Sequence, residues 1–245
     1  MKKIILISCM AIFSAAQVWA QEKAQNSYPM LGEDAPSFTA ESTTGTLNFP
    51  GDYTFKWKIL FSHPADFTPV CTSEILELAE AQKNFDKLGA KIVVVSVDNI
   101  ENHLEWEKNM ESINYKGRDP VKIDFPLVSD PNLVIAKEYG MIHPNTSSTK
   151  DVRGVFIVDT KNKIRAMFFY PMNIGRNLGE IERTLVALQT ADKQQVLIPA
   201  NWQPGEDVLV PYLKSTAEGE KVLSDNDPNY YQVTWYMRFK KAGNK

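Results

Sequence analysis

Cysteine is nearly absent from this chain, which has only Cys9 and Cys71 among its 245 residues. Cys9 lies in an N-terminal stretch that we expect to be removed, so Cys71 would be the single cysteine of the mature protein. One cysteine cannot form an internal disulfide, and it excludes a C-x-x-C redox pair. A lone thiol in an oxidising export compartment therefore needs either burial or reactivity to explain it.

Other features that the sequence lacks exclude further classes of function. The formal net charge is −3 and there is no long basic run, which argues against nucleic acid as a partner. The three histidines, His63, His103 and His143, are scattered singly without metal-ligand spacing, so we expect no metal and no other cofactor. No internal repeat or low-complexity tract is present.

Residues 1–20 have the pattern of a signal peptide. A basic pair precedes the apolar stretch 4–16, and small residues end at Ala20, which predicts cleavage before Gln21. The stretch is shorter than the roughly 20 apolar residues that a membrane anchor needs, so we expect no stable membrane insertion. Cys9 lies in a loose lipoprotein box, but the apolar run continues past it and we expect no lipidation. The protein is predicted to be exported, to the periplasm in a double-membrane bacterium.

The middle of the chain alternates strand and helix patterns. The run Ala90–Asp98 is apolar and β-branched, as in the centre of a parallel sheet. The order β-α-β-α-β-α-β-β-α predicts an α/β fold, mostly parallel with an antiparallel edge, compatible with a thioredoxin-like fold. We predict a flexible N-terminus at 21–28, a main domain at 29–190, and a small C-terminal extension at 191–245 whose aromatic residues favour an interface.

The segment around Cys71 combines two local signals. Thr68 is a good N-cap residue, and Pro69 suits the first position of a helix. Cys71 would then lie in the first turn, where the helix dipole favours the anionic thiolate. The alternative is a buried structural cysteine beside a helix cap, because cysteine is among the most buried residue types.

Pro64, Thr68 and Cys71 form the pattern P-x-x-x-T-x-x-C, which resembles the peroxiredoxin active site. Arg153, before the strand 155–159, and the segment 170–177 also match, and Pro199–Gly205 is similar to the one-Cys subgroup. The resemblance implies a thioredoxin-like fold with peroxiredoxin insertions and an antioxidant, thiol-dependent peroxidase. It also implies a homodimer or a higher oligomer.

The same resemblance assigns residue roles. Cys71 would be the peroxidatic cysteine, Thr68 a peroxide-binding hydroxyl, Pro64 a shield, and Arg153 the charged partner of thiolate and peroxide. The supporting residues would be Glu74, which holds Arg153, and also His63 and Arg176. Without a second cysteine, the Cys71 sulfenic acid would be reduced by an external thiol or a thioredoxin-like partner protein.

Elementary kinetics shows why more than a reactive thiol is needed. A free cysteine is only about 3% thiolate at neutral pH, so complete ionisation gains roughly thirtyfold. The remaining acceleration must come from stabilising charge on the leaving oxygen, for which an arginine and a hydroxyl are suitable donors.

Two alternative functions compete with the thiol-dependent peroxidase, and a third activity is not expected. A thiol–disulfide oxidoreductase is disfavoured because the residue three before Cys71 is threonine. An exported peroxide sensor or thiol-redox relay protein is not excluded. A phospholipase activity is not expected, because the segment 51–57 lacks the G-x-S-x-G serine found in some one-Cys members.

Overall fold

The computed structural model describes residues 28–211 and 227–243. The predicted signal peptide, Cys9 and the cleavage site after Ala20 lie outside the described residues. The strands are β1 (Phe38–Ser42), β2 (Gly45–Phe49), β3 (Trp57–Ser62), β4 (Ala90–Ser96), β5 (Leu127–Ser129), β6 (Arg153–Val158), β7 (Ile164–Tyr170), β8 (Val208–Leu209), β9 (Tyr230–Thr234) and β10 (Met237–Lys240). The helices are α1 (Pro69–Lys87), α2 (Ile100–Met110), α3 (Val134–Glu138) and α4 (Leu178–Gln194), with a short 3-10 turn at Gly51–Tyr53.

The main sheet has seven strands in the order β2-β1-β5-β4-β3-β6-β7. β3 pairs in parallel with β4, and β4 with β5, whereas every other pairing in this sheet is antiparallel. The expectation of a mostly parallel sheet was therefore wrong, because antiparallel hairpins flank the three parallel strands on both sides.

Side chains of β3 point alternately to the two faces of the sheet, and each face has its own core cluster. Ile59 and Phe61 pack on one face with residues of α1, α2 and α4, while Leu60 packs on the other face with residues of α3 and β6. Successive side chains of a strand point to opposite faces, so a strand buried on both sides must be apolar throughout. All six residues of β3 are buried, which places its C-terminal end firmly in the interior.

Helix α1 follows β3 after a six-residue loop, which we name the site loop (residues 63–68). The helix ends at Lys87, and Gly89 follows two residues later with a φ of 69°, in the left-handed region that glycine tolerates. Strand β3 therefore delivers the site loop, and α1 delivers Cys71, to the edge where the parallel strands end.

The C-terminal extension forms a separate small sheet in the order β8-β10-β9. A cluster of Ala187, Val196, Trp202 and Val208 joins it to α4. Among the described residues, no helix combines the length and the apolar character needed to cross a membrane.

Candidate active site

Cys71 lies in the first turn of α1. Thr68 is the N-cap residue with an extended backbone, and Pro69 is the first helical residue. The Thr68 hydroxyl does not cap the helix; it donates to the carbonyl oxygen of Ala65 at 2.9 Å. Cys71 is a free cysteine that is fully buried. The helix thus starts where it was predicted to start, but the Thr68 side chain bonds within the preceding loop and does not cap the N-terminus of the helix.

Arg153 is the side chain that meets the thiol. It begins β6, and its Nη1 donates to Sγ of Cys71 at 3.3 Å and to Oε2 of Glu74 at 2.7 Å. Its Nε also donates to the carbonyl oxygen of Met172 at 3.0 Å. Contacts at both ends of the guanidinium fix its plane, so the donor is held beside the sulfur before any substrate arrives.

Glu74 lies one turn beyond Cys71 on α1 and binds a second arginine. The carboxylate accepts from Nε and Nη2 of Arg176 at 2.9 and 2.7 Å, and from its backbone N–H at 2.7 Å. Nη1 of Arg176 donates to the carbonyl oxygens of Ser62 and Gly154, each at 2.8 Å. Arg176 thereby joins α1, β3 and β6 around the thiol.

We call Glu74, Arg153 and Arg176 the arginine cluster. Burial alone would raise the pKa of Glu74, but the charge and hydrogen bonds of Arg176, with the charge of Arg153, outweigh it and hold this pKa below its ordinary value. Two guanidinium groups then face one carboxylate, which leaves a surplus of one positive charge. The buried site is therefore suited to an anion beside Arg153, which would balance that surplus.

The site loop carries the other two residues of the motif. Pro64 is buried, and Thr68 is half-buried. Between them Phe67 has a φ of 54°, a conformation that costs a bulky residue free energy, and its ring faces Trp106 with centroids 6.4 Å apart. The loop is therefore held in one particular shape by its surroundings.

His63, Asp66 and His103 form a second buried group, the histidine cluster. Oδ1 of Asp66 lies 2.9 Å from Nε2 of His63, and Oδ2 lies 2.7 Å from Nδ1 of His103. The expectation that the histidines are scattered singly was wrong for these two, whose ring centroids are 6.2 Å apart. Sequence reasoning missed Asp66 altogether, because nothing in the sequence signals the contact between the site loop and α2.

His63, Asp66 and Asp98 also bring possible metal-ligand atoms within 4.8 Å of one another. Hydrogen bonds account for this proximity. Both oxygens of Asp66 face the histidines, and Oδ2 of Asp98 accepts from the Asp66 backbone N–H and from the Ser96 hydroxyl at 2.9 and 2.8 Å. The group therefore gives no reason to assign an ion.

Cys71 is thus a buried thiol in the first turn of a helix, and a fixed arginine donates a hydrogen bond to its sulfur. Such a site on a central β-α-β core is that of a thiol-dependent peroxidase. The chain matches the AhpC/TSA family over residues 31–167, more than half of its length, and the C-terminal domain of 1-Cys peroxiredoxin over residues 187–225. The chain belongs to the peroxiredoxin family, and its fold is the thioredoxin-like peroxiredoxin fold.

Relatives support this assignment over nearly the whole chain. A peroxiredoxin of Methanosarcina mazei is 44% identical and covers 89% of this chain and all of the relative. Mitochondrial peroxiredoxin PRX1 of Saccharomyces cerevisiae is 36% identical over 94% of this chain and 88% of the relative.

Solved structures give the same family. The structure of the yeast mitochondrial 1-Cys peroxiredoxin has a TM-score of 0.75, with 37% identity and coverage of 87% of this chain and 99% of the other. Peroxiredoxin 6 of Arenicola marina also has a TM-score of 0.75, with 32% identity over 89% of this chain and all of the other.

Proposed function

We propose that this peroxidase reduces hydrogen peroxide and organic hydroperoxides with Cys71 as its peroxidatic cysteine. The observation that carries the proposal is the 3.3 Å contact from Nη1 of Arg153 to Sγ of Cys71, with the same nitrogen bonded to Glu74. A fixed cation at the sulfur stabilises both the thiolate and the charge that develops on peroxide during O–O cleavage.

The reaction is a two-electron transfer. The Cys71 thiolate attacks one peroxide oxygen, the O–O bond breaks, and its electron pair leaves on the distal oxygen, which takes a proton and departs as water or alcohol. Cysteine is thereby oxidised to sulfenic acid and peroxide is reduced. In this proposal Arg153 donates to the oxygens during this step, the Thr68 hydroxyl turns from the Ala65 carbonyl to the peroxide as the second donor, and buried Pro64 shields the site from water.

The sulfenic acid needs an external reductant, since Cys9 and Cys71 are the only cysteines of the sequence. A thiol would attack the sulfenic sulfur, releasing water and forming a mixed disulfide, and a second thiol would release Cys71. The printed title of the yeast structure names glutathione and thioredoxin systems for that protein. We propose a reductant of the same chemical class here.

Two further features of the proposal concern the state of the protein. The signal-like residues 1–20 support export, which mass spectrometry of the mature N-terminus would test by showing Gln21 as the first residue.

Partly exposed aromatic residues of the extension, such as Tyr231 and Trp235, support a homodimer. A monomer by light scattering at working concentration would contradict it.

Consumption of hydrogen peroxide by residues 21–245 with excess dithiothreitol, beside Cys71→Ser, tests the function. We expect fast turnover that the variant loses, because a hydroxyl is not ionised at neutral pH and cannot act as this nucleophile. Turnover no faster than that of dithiothreitol alone, or full turnover by the variant, would refute the proposal. The same assay with an alkyl hydroperoxide tests the second substrate class.

A further inference from the structure

The histidine cluster links the site loop to α2. His63 and Asp66 lie in the site loop, and His103 lies on α2. All three side chains are buried, and Asp66 is bonded to both rings. A carboxylate between two imidazoles is a titrating unit, so the positions of its protons decide what each ring can do.

The hydrogen-bond partners of His103 show where its protons lie. Nε2 of His103 lies 3.1 Å from the carbonyl oxygen of Val128, which can only accept, so this nitrogen carries a proton. Nδ1 of His103 faces Oδ2 of Asp66 at 2.7 Å, and this short contact needs a proton as well. His103 therefore carries both protons beside a carboxylate, or the second proton is shared with Asp66; in both cases this pair is neutral.

His63 completes the arrangement. Its Nε2 donates to Oδ1 of the Asp66 carboxylate, and burial, which lowers the pKa of His63, disfavours a second proton on Nδ1. This Nδ1 is buried and has no hydrogen-bond partner. A buried polar atom without a partner is unfavourable, so such an atom in the interior often has a role in the function of the protein. The ring is held in place by Trp106, with centroids 5.1 Å apart.

The charges around the rings agree with this distribution. Burial lowers the pKa of His63, the Asp66 hydrogen bond and charge oppose it, and the His103 charge lowers it further. Burial would raise the pKa of Asp66, but the hydrogen bonds from His103 and His63 outweigh it. Asp98 is a further acidic group that acts on His63, and Glu107 is the acidic neighbour of His103 on α2.

We propose that Asp66 and His103 are positioning residues for the peroxidase reaction, which keep Nδ1 of His63 unprotonated as a buried hydrogen-bond acceptor beside the site loop. His103 supplies the proton that neutralises Asp66. Without it, the carboxylate would draw a second proton onto His63, and the free acceptor would be lost. The inference rests on the peroxidase activity of the chain but not on the identity of its peroxide or reductant.

The pair His103→Gln and Asp66→Asn separates this role from simple packing. Glutamine retains a polar contact to Asp66 but cannot carry the charge, so we expect the pKa of His63 to rise and its ring to take up a second proton on the acidic side of the profile. The rate of Cys71 oxidation in single-turnover experiments should then decrease about tenfold at about pH 6 and much less at about pH 9. Adding Asp66→Asn removes the uncompensated carboxylate and should restore the acidic side of the profile.

A packing role predicts a different result. His103→Gln would then lower the rate equally at every pH, and Asp66→Asn would add a second loss. Either observation would overturn the proposal. His143→Gln is the matched control, because His143 is the exposed third histidine and should leave the profile unchanged.

Nitrogen NMR of the histidine-labelled wild-type protein provides a test that needs no variant of the cluster. The sequence has three histidines: His143→Gln identifies one signal pair, and the contact of the His63 ring with Trp106 identifies the second. Near neutral pH we expect two protonated nitrogens for His103 and one for His63, on Nε2. A His63 ring with Nδ1 protonated would refute the proposal whatever the kinetics show.

Discussion

Two buried polar clusters meet at the segment that carries Cys71, and they differ in charge. The arginine cluster places two cations around one carboxylate, so it retains a surplus positive charge next to Sγ. The histidine cluster places one carboxylate between two imidazole rings and contains no guanidinium group. In our proposals the two clusters have separate tasks: the arginine cluster stabilises anions, and the histidine cluster maintains a neutral acceptor.

The clusters also differ in how they are built. The carboxylate of Glu74 is held through three contacts to Arg176 and one to Arg153, whereas Nδ1 of His63 has no partner. A saturated network favours a single geometry, and an unsaturated atom is available for new hydrogen bonds.

Removing Arg176 should have the largest effect on stability. Arg176→Ala deletes the bonds to Glu74 and leaves the carbonyl oxygens of Ser62 and Gly154 without this donor. Breaking a buried ion pair from one side costs about 3–5 kcal/mol, which we expect in the free energy of unfolding from chemical denaturation. A loss below about 1 kcal/mol would show that the cluster does not hold the fold together.

Removing Arg153 should have the largest effect on the reaction. Arg153→Ala deletes the donor at Sγ, and loss of one such donor typically lowers a rate about 10²–10³-fold. The measurement is the second-order rate constant of Cys71 oxidation by hydrogen peroxide. Arg153→Lys is the matched control: it keeps the charge but lacks the fork, so it should recover only part of the rate. Full recovery would show that charge alone is sufficient.

A third prediction concerns an unpaired carboxyl group outside both clusters. Asp151 is fully buried, and both of its oxygens lack a hydrogen-bond partner. Burial, reinforced by the charges of Asp130 and Asp98, raises the pKa of Asp151 to about 8. Between its ordinary pKa and this value the folded chain holds a proton that the unfolded chain has released, so stability decreases as the pH rises.

Asp151→Asn removes this titration and should stabilise the protein increasingly between about pH 4 and about pH 8, by at most about 1.4 kcal/mol per pH unit. Above that window the advantage should stay constant. Denaturation of both proteins at several pH values measures it, with Asp119→Asn at an exposed position as the matched control. Parallel pH profiles for Asp151→Asn and the wild type would contradict the prediction.

The sequence predicts what is encoded locally. The start of α1 at Pro69, its end shortly before Gly89 and the strand from Ala90 follow from capping, backbone conformation and apolar patterning within a few residues. The hairpin of β1 and β2 was missed because each strand is short and only partly buried, so its alternation is weak.

Long-range contacts were beyond such reasoning. Arg153 and Arg176 entered the site only through the family resemblance, since they lie 82 and 102 positions from Cys71 and Glu74, respectively. Contact between His103 and Asp66 spans 37 positions, and no resemblance was used for it. Such contacts between distant residues depend on the pairing of β3 with β6 in the sheet and on the packing of α2 against it.

The central claim is that Arg153 acts through a fixed position that Glu74 imposes, and Glu74→Gln tests it most directly. This variant raises the surplus positive charge near Cys71 while it weakens the hold on Arg153. If position decides, the rate constant of Cys71 oxidation by hydrogen peroxide should decrease about 10–100-fold despite the added positive charge. A rate constant equal to or above that of the wild type would contradict the account and show that net charge alone drives the reaction.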